Sequence, residues 1–219
     1  NGVLFGFFYG DHCYTSSDCS TWTLRTLPST QSWRDVAWTG TKYVVVGTAS
    51  NACAVSVDAQ SWVAGGSIGA GGAYSIAYGA GKLVVAYSTN FSYSSDHGAT
   101  WTTSTFPTMT ATGSYDNIVW TGTKFIVSSN GSGAIAYATS TTGDGYWPEV
   151  ANTAVGGQVG DSTLHGQGGN LISDGNGTVV MMNYSYRFMS ANHGTTWLCF
   201  NRFVASLQSK LAGNTTKAV

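Results

Sequence analysis

Two aspartates, Asp35 and Asp116, each stand just ahead of a similar apolar phrase. A pair of carboxyl groups set across a cleft is what cleavage of a glycosidic bond requires. Aspartates at loop ends serve more commonly as turn formers, and the other reactive residue types build no site around this pair. The chain has a single glutamate, Glu149, and four arginines: Arg25, Arg34, Arg187 and Arg202. Its histidines (His12, His97, His165, His193) and cysteines (Cys13, Cys19, Cys53, Cys199) fall in no spacing typical of zinc ligands. The glycines sit in hairpins and not ahead of helices, so no phosphate cradle is expected. The reading is therefore of a chain without metal or cofactor.

Composition narrows the partners. Only 9% of residues are charged and the formal net charge is −1, which leaves no basic field for nucleic acid. No apolar run approaches the ~20 residues of a membrane-spanning helix, so membrane insertion is not expected. Aromatics reach 13%, amid abundant Ser, Thr and Asn. Flat rings among neutral polar groups suit sugar or protein surfaces. Without an initiator Met, the chain is expected to be processed or cut from something longer. Cys13 and Cys53 fall at nearly the same point of successive repeats, so a disulfide between them and four buried free thiols are both open.

The elements that must position these groups are set by repetition. One phrase, a serine followed by Asp or Asn, a small-residue turn and Trp, is cleanest at Ser94-Ser95-Asp96-His97-Gly98-Ala99-Thr100-Trp101. It recurs at Ser190–Trp197 with Asn192 and Gly194. Degraded copies stand at Ser16–Trp22 with Asp18 and at Ser56–Trp62 with Asp58. With Trp147 added, the aligned tryptophans (Trp22, Trp62, Trp101, Trp147, Trp197) lie 39 to 50 residues apart. That is the length of one four-stranded propeller blade. The turn Asp or Asn accepts backbone hydrogen bonds, Gly supplies a left-handed residue, and the Trp is expected to pack between neighbouring blades.

A second phrase keeps the same period. Val36-Ala37-Trp38-Thr39-Gly40-Thr41-Lys42-Tyr43 matches Ile76-Ala77-Tyr78-Gly79-Ala80-Gly81-Lys82-Leu83 and Ile118-Val119-Trp120-Thr121-Gly122-Thr123-Lys124-Phe125. A fourth copy runs from Leu171 to Val180. Each reads as a strand, a tight turn and a β-branched strand. The blade grammar is strand A (36–38), strand B (43–48), strand C (52–57), the motif turn, and strand D from Trp62. The fold class is thus all-β: a five-bladed β-propeller of four-stranded antiparallel blades over residues 1–203. Its blades end near Leu27, Gly66, Phe106, Val150 and Phe200. Residues 3–9 align with strand B, so the first blade lacks strand A. Residues 204–219 are read as a closing strand or tail that completes the ring, because an open edge is a liability.

The turn motif resembles the Asp-box, or BNR repeat, of sialidase-like propellers, and the phrase "VAWTGTKYVVVG" looks like repeats of phage tail and virion proteins. The resemblance covers roughly residues 2–200. Asp-boxes occur in sialidases, lectins, receptors and assembly factors alike, so they imply fold and not activity. A sialidase of this kind uses three arginines, a Tyr–Glu pair and an acidic Asp. With Arg25 and Arg202 placed on outer strands, only Arg34 and Arg187 remain for that clamp, and the chain is read as no enzyme.

Propeller topology puts the A–B and C–D turns on one face, and the B–C and D–A loops on the other. The second face is the expected binding face. It gathers Trp33, Arg34, Asp35, Tyr74, Tyr115, Asp116, Asn117, Tyr184 and Arg187. Trp33 is read either as a cap over its loop or as a stacking platform. The expectation is a non-catalytic recognition module that binds a cell-surface glycan or receptor, on a phage tail or virion surface and hence extracellular. The alternative is a structural or decoration protein engaging other virion proteins through the same face.

Overall fold

The computed structural model describes residues 2–7, 9–49, 52–69, 71–106, 115–129, 137–150, 170–182 and 186–201. All pairings among them are antiparallel and fall into successive units. The first unit comprises β1 (Leu4–Phe7), β2 (Tyr9–Ser16) and the start of β3 (Thr23–Trp38). β3 does not stop at the unit boundary: its first half pairs with β2, and its second half pairs with β4 (Tyr43–Gly47) to open the next unit. Pro28 is tolerated because residues 27–30 fall in an irregularity between the Gly10–Gln31 and His12–Thr26 pairs, where no ladder amide is needed. The second unit continues with β5 (Cys53–Ser56) and β6 (Val63–Ala64).

Three four-stranded sheets follow. They are β7 (Ser75–Gly79) to β10 (Thr102–Thr105), with β8 (Lys82–Tyr87) and β9 (Asn90–Ser94) between them; β11 (Tyr115–Trp120), β12 (Phe125–Ser129), β13 (Tyr137–Ser140) and β14 (Glu149–Val150); and β15 (Asn170–Ser173), β16 (Val179–Met182), β17 (Tyr186–Ser190) and β18 (Leu198–Asn201). In the second unit strands B and C match the sequence expectation to within a residue, whereas strand A, expected at 36–38, pairs with β4 from Trp33 onward as the second half of β3. The first unit has no strand ahead of β1 among the described residues. Among the described residues no pairing joins the first sheet to the last, and the expected closing segment 204–219 lies outside them.

The repeated turns fold by one mechanism. Ser16, Ser56 and Ser94 each donate a hydroxyl to the aspartate two residues on, at 3.0, 2.9 and 2.7 Å, and Ser190 does so to Asn192 at 2.9 Å. That oxygen then takes a backbone N–H: Thr21 at 2.7 Å, Ser61 at 2.9 Å, Thr100 at 2.8 Å and Thr196 at 2.9 Å. The residue after the Asp or Asn is left-handed each time: Cys19, Ala59, His97 and His193 have φ of 57–61°. The two degraded copies are one residue shorter, so the aspartate closes its turn three residues on instead of four. In the fourth unit Thr142 replaces the aspartate, Gly143 takes the left-handed place, and Asp144 pairs with Lys82 of the third unit at 3.2 Å.

Between units, apolar faces interlock. The residue three before each turn serine lies in one buried cluster with the next unit's tryptophan. The pairs are Cys13 with Trp62, Cys53 with Trp101, Phe91 with Trp147 and Tyr137 with Trp197. The last two have ring centroids 5.4 and 5.7 Å apart. Trp197 Nε1 donates to the Tyr137 hydroxyl at 3.0 Å, which donates on to the Gly194 carbonyl at 3.3 Å. Cys53 repeats the second contact, its thiol 3.8 Å from the Gly98 carbonyl. The shared register of Cys13 and Cys53 is thus explained by the packing of the next tryptophan, and Cys13, Cys19 and Cys53 are all free thiols. The side chain of Cys199 lies outside the described residues. Of the motif tryptophans, Trp147 and Trp197 are fully buried, and Trp62 and Trp101 are partly so. Trp22 departs from the expectation at 44% exposed: among the described residues no unit packs on it as the first unit packs on Trp62.

Candidate functional site at the mouth of the central channel

The second half of β3, with β7, β11 and β15, are the innermost strands. They line a shared hollow of about 380 Å³. The first three enter it through a triplet: Trp33-Arg34-Asp35, Ala73-Tyr74-Ser75 and Tyr115-Asp116-Asn117. The sequence reading gave most of these residues one role, facing a ligand. The structure gives the three positions three roles.

The first position is core. Trp33 and Tyr115 are each 3% exposed and Ala73 is fully buried. Trp33 Nε1 donates to the Ser29 carbonyl at 3.3 Å, and the Tyr115 ring packs on Phe106 at 4.9 Å. Neither ring presents a face for stacking on a ligand, and of the two readings of Trp33 the cap describes what is seen.

The third position is a clasp between neighbours. Asp35 Oδ2 accepts from the Ser75 hydroxyl and the Ile76 N–H, both at 2.9 Å, while Oδ1 takes the Val36 N–H at 2.8 Å. Ser75 Oγ in turn accepts the Ile118 N–H at 3.4 Å, and Asn117 Oδ1 accepts the Leu171 N–H at 3.3 Å. Every clasp takes the amide of the residue after the next strand's own clasp. Burial raises the Asp35 carboxyl above the ordinary aspartate range, with the Ile76, Ser75 and Val36 hydrogen bonds acting against it. Part of the residue still meets the channel, but the surrounding protein crowds its carboxyl. Two of these hydrogen bonds tie β3 to β7 and the third is to the next residue of β3 itself, so both carboxylate oxygens serve the backbone clasp.

The second position points outward at Arg34 and Tyr74. Arg34 and Asp116 sit where the register slips, between Trp33 and Asp35 and between Tyr115 and Asn117. A bulge re-aims a side chain that strict alternation would place elsewhere. Arg34 is exposed, and its guanidinium carbon lies 5.8 Å from the centre of the Tyr74 ring, itself 47% exposed. Beside them the half-buried Asn117 donates from Nδ2 to the exposed Asn170 Oδ1 at 3.2 Å. The Arg34–Tyr74 pair and these amides are the accessible groups next in sequence to Asp35, Ser75 and Leu171, which with Asn117 line the hollow. The side chain of Asp116 and all of Tyr184 lie outside the described residues. Arg187 is exposed but lies on β17, an outer strand, away from the channel.

The opposite end of the channel carries a feature not singled out in the sequence. Trp38, Tyr78 and Trp120 occupy one position of the repeated phrase, half-buried and lining the same hollow. Trp120 lies across Gly79 of the preceding unit, where a Cβ would collide with the indole. Trp38 packs on Tyr43 at 4.4 Å and Trp120 on Phe125 at 4.7 Å. Their shared phrase position was the available signal.

No family model and no curated protein matches the chain. Solved structures do. A structure titled YCF48 bound to D1 peptide is 15% identical with a TM-score of 0.58, over 89% of this chain and 63% of that one. The GH74 xyloglucanase from Xanthomonas campestris is 11% identical with a TM-score of 0.64, over 91% of this chain and 37% of that one. A nidogen/laminin complex is 9% identical with a TM-score of 0.59, over 86% and 73%. These are β-propeller proteins, and the likeness establishes a β-propeller fold. The chain spans less than two thirds of the length of the YCF48 and xyloglucanase chains.

Proposed function

We propose that this chain is a non-catalytic recognition module, a propeller of five Asp-box-type units that binds a cell-surface glycan or receptor at the channel mouth. The observation that carries the reading is the exposed Arg34–Tyr74 pair beside the Asn117–Asn170 amides. A guanidinium and primary amides donate to vicinal hydroxyls, and a tyrosine ring offers a face to a sugar. The repeat texture fits a phage tail or virion surface, and hence an extracellular setting. Hydrolysis is disfavoured because both Asp35 oxygens are engaged by its own strand and the next, Oδ1 by the Val36 N–H and Oδ2 by Ser75 and Ile76.

A second reading, a protein partner on the same face, draws on the burial of Trp33 and Tyr115, which leaves sugar stacking to Tyr74. Tyr and Arg are also what protein interfaces favour, and two similar propellers carry titles that name a peptide and a laminin complex. The test is a glycan array probed with the protein displayed multivalently, beside an Arg34→Ala, Tyr74→Ala variant. Selective binding that the variant loses supports the first reading. Binding that survives in the variant, or none on any glycan, sinks it.

A further inference from the structure

The contact that joins neighbouring units recurs four times, always between the residue three before one turn serine and the next unit's tryptophan. The series has one member left at each end. The fifth residue of the first kind is Arg187, three before Ser190, and it is exposed. The fifth tryptophan is Trp22, 44% exposed.

The surfaces around them match what the inner interfaces bury. By the strand register, Leu4, Gly6, His12, Tyr14 and Leu24 share one face of the first unit, opposite the face that holds Phe5, Phe7 and Cys13. Leu4 is 41% and Leu24 56% exposed, and a largely apolar hollow of about 590 Å³ lies between Gly6, His12, Tyr14 and Trp22. On the last unit, Ile172, Val180, Met189 and Leu198 share the face of Arg187, opposite the buried Leu171, Val179, Met181 and Phe188. Ile172 is 56% and Leu198 63% exposed.

We infer that these two faces bind each other between copies of this chain, the last unit of one seated on the first unit of the next, with Arg187 over Trp22. The occupant is a second copy because both faces are exposed among the described residues, and because each is half of an interface the chain already builds four times. Arginine adds what the inner positions lack. Its guanidinium stacks on an indole face and donates to a turn carbonyl, as Cys53 does to Gly98 and Tyr137 to Gly194. Such a contact is head-to-tail, so it propagates into a closed ring of chains or a filament. Either would multiply the channel-mouth sites.

Sedimentation equilibrium across a concentration series tests this with Arg187→Glu and Trp22→Ser, both surface substitutions whose folding is checked by circular dichroism. Wild type is expected to rise above the 22.9 kDa of one chain as concentration increases, and each variant to stay at that mass. An equimolar mixture of the two variants retains one intact face of each kind and is expected to stop at twice the single-chain mass. A wild type that stays monomeric at every concentration, as closure within one chain by residues 204–219 would give, overturns the inference. So does a mixture that fails to pair while wild type associates.

Discussion

Replacing Asp35 separates its two opposing contributions. In Asp35→Ala the Ile76 and Val36 amides both lose their acceptor, whereas the Ser75 hydroxyl keeps the Ile118 carbonyl at 3.4 Å. An orphaned buried amide costs about 1–3 kcal/mol; Val36 faces the channel and pays less, so the loss is about 2–4 kcal/mol. For a chain of this size that is a fall of roughly 5–15 °C in Tm. Asp35→Asn should cost less, because Asn117 performs the same task with a neutral amide two strands away. The pH dependence gives the sharper test. Burial raises the folded-state pKa of Asp35, so the folded protein binds its proton more tightly than the unfolded chain does. Its contribution is then fully present below the ordinary aspartate value of about 3.9 and is lost as pH rises through the raised value. Urea denaturation of wild type and Asp35→Asn from acid to neutral pH, taken as a difference, cancels the other carboxylates. Wild type should weaken relative to the variant as pH rises, then level off. A difference that instead grows in favour of wild type would mean that the three hydrogen bonds outweigh burial, and the reasoning fails.

The turn aspartates carry the opposite sign. Backbone hydrogen bonds from Thr21 and Ser20 hold Asp18 at about 2; burial pushes Asp96 up, but hydrogen bonds from Thr100, Ser94 and Ala99 together outweigh it and hold the carboxyl at about 2. Stability present above about 4 should therefore fall between about pH 4 and 2, and Asp96→Asn, which mimics Asn192, should flatten that fall in an acid titration followed by tryptophan fluorescence. Tyr137→Phe removes the hydroxyl that links Trp197 Nε1 to the Gly194 carbonyl, and should cost about 1–3 kcal/mol in urea denaturation with little change in fold; no loss would mean that ring packing alone joins the units. In the native protein a thiol reagent should label Cys19 promptly. Cys13 and Cys53, whose thiols burial pushes up to about 11 and about 12, should react only on unfolding, which peptide mapping by mass spectrometry would read.

What was legible in the sequence was local. The serine–aspartate turns and the glycine hairpins are closed by residues two to four apart, so their chemistry is written where it acts. Strands B and C follow from β-branched runs between those turns. The roles within the triplets were not legible for a geometric reason. In a regular strand, alternate residues share a face, and reading Trp33-Arg34-Asp35 that way groups Trp33 with Asp35. The slip at Arg34 breaks the count, sending the tryptophan into the core, the arginine outward and the carboxylate to the next strand. The second slip, at Asp116, does the same for Tyr115 and Asn117.

Trp22 was misjudged for a different reason. Its motif is as intact locally as that of Trp62, with the same turn length and the same left-handed residue. What buries Trp62 is the unit before it, through Phe5 at 6.0 Å and the cluster around Cys13. A motif tryptophan is therefore half of a contact, and only its neighbour decides whether the ring is core or surface. The same holds for the position three before each turn serine: Cys13, Cys53, Phe91 and Tyr137 range from a small thiol to large rings, yet each packs in a cluster with the indole of the next unit. In a repeat fold, the residue type at such a position reports its partner more than its own unit. An arginine that ends the series, against a tryptophan that begins it, is read by that rule as an interface whose other half lies on another copy.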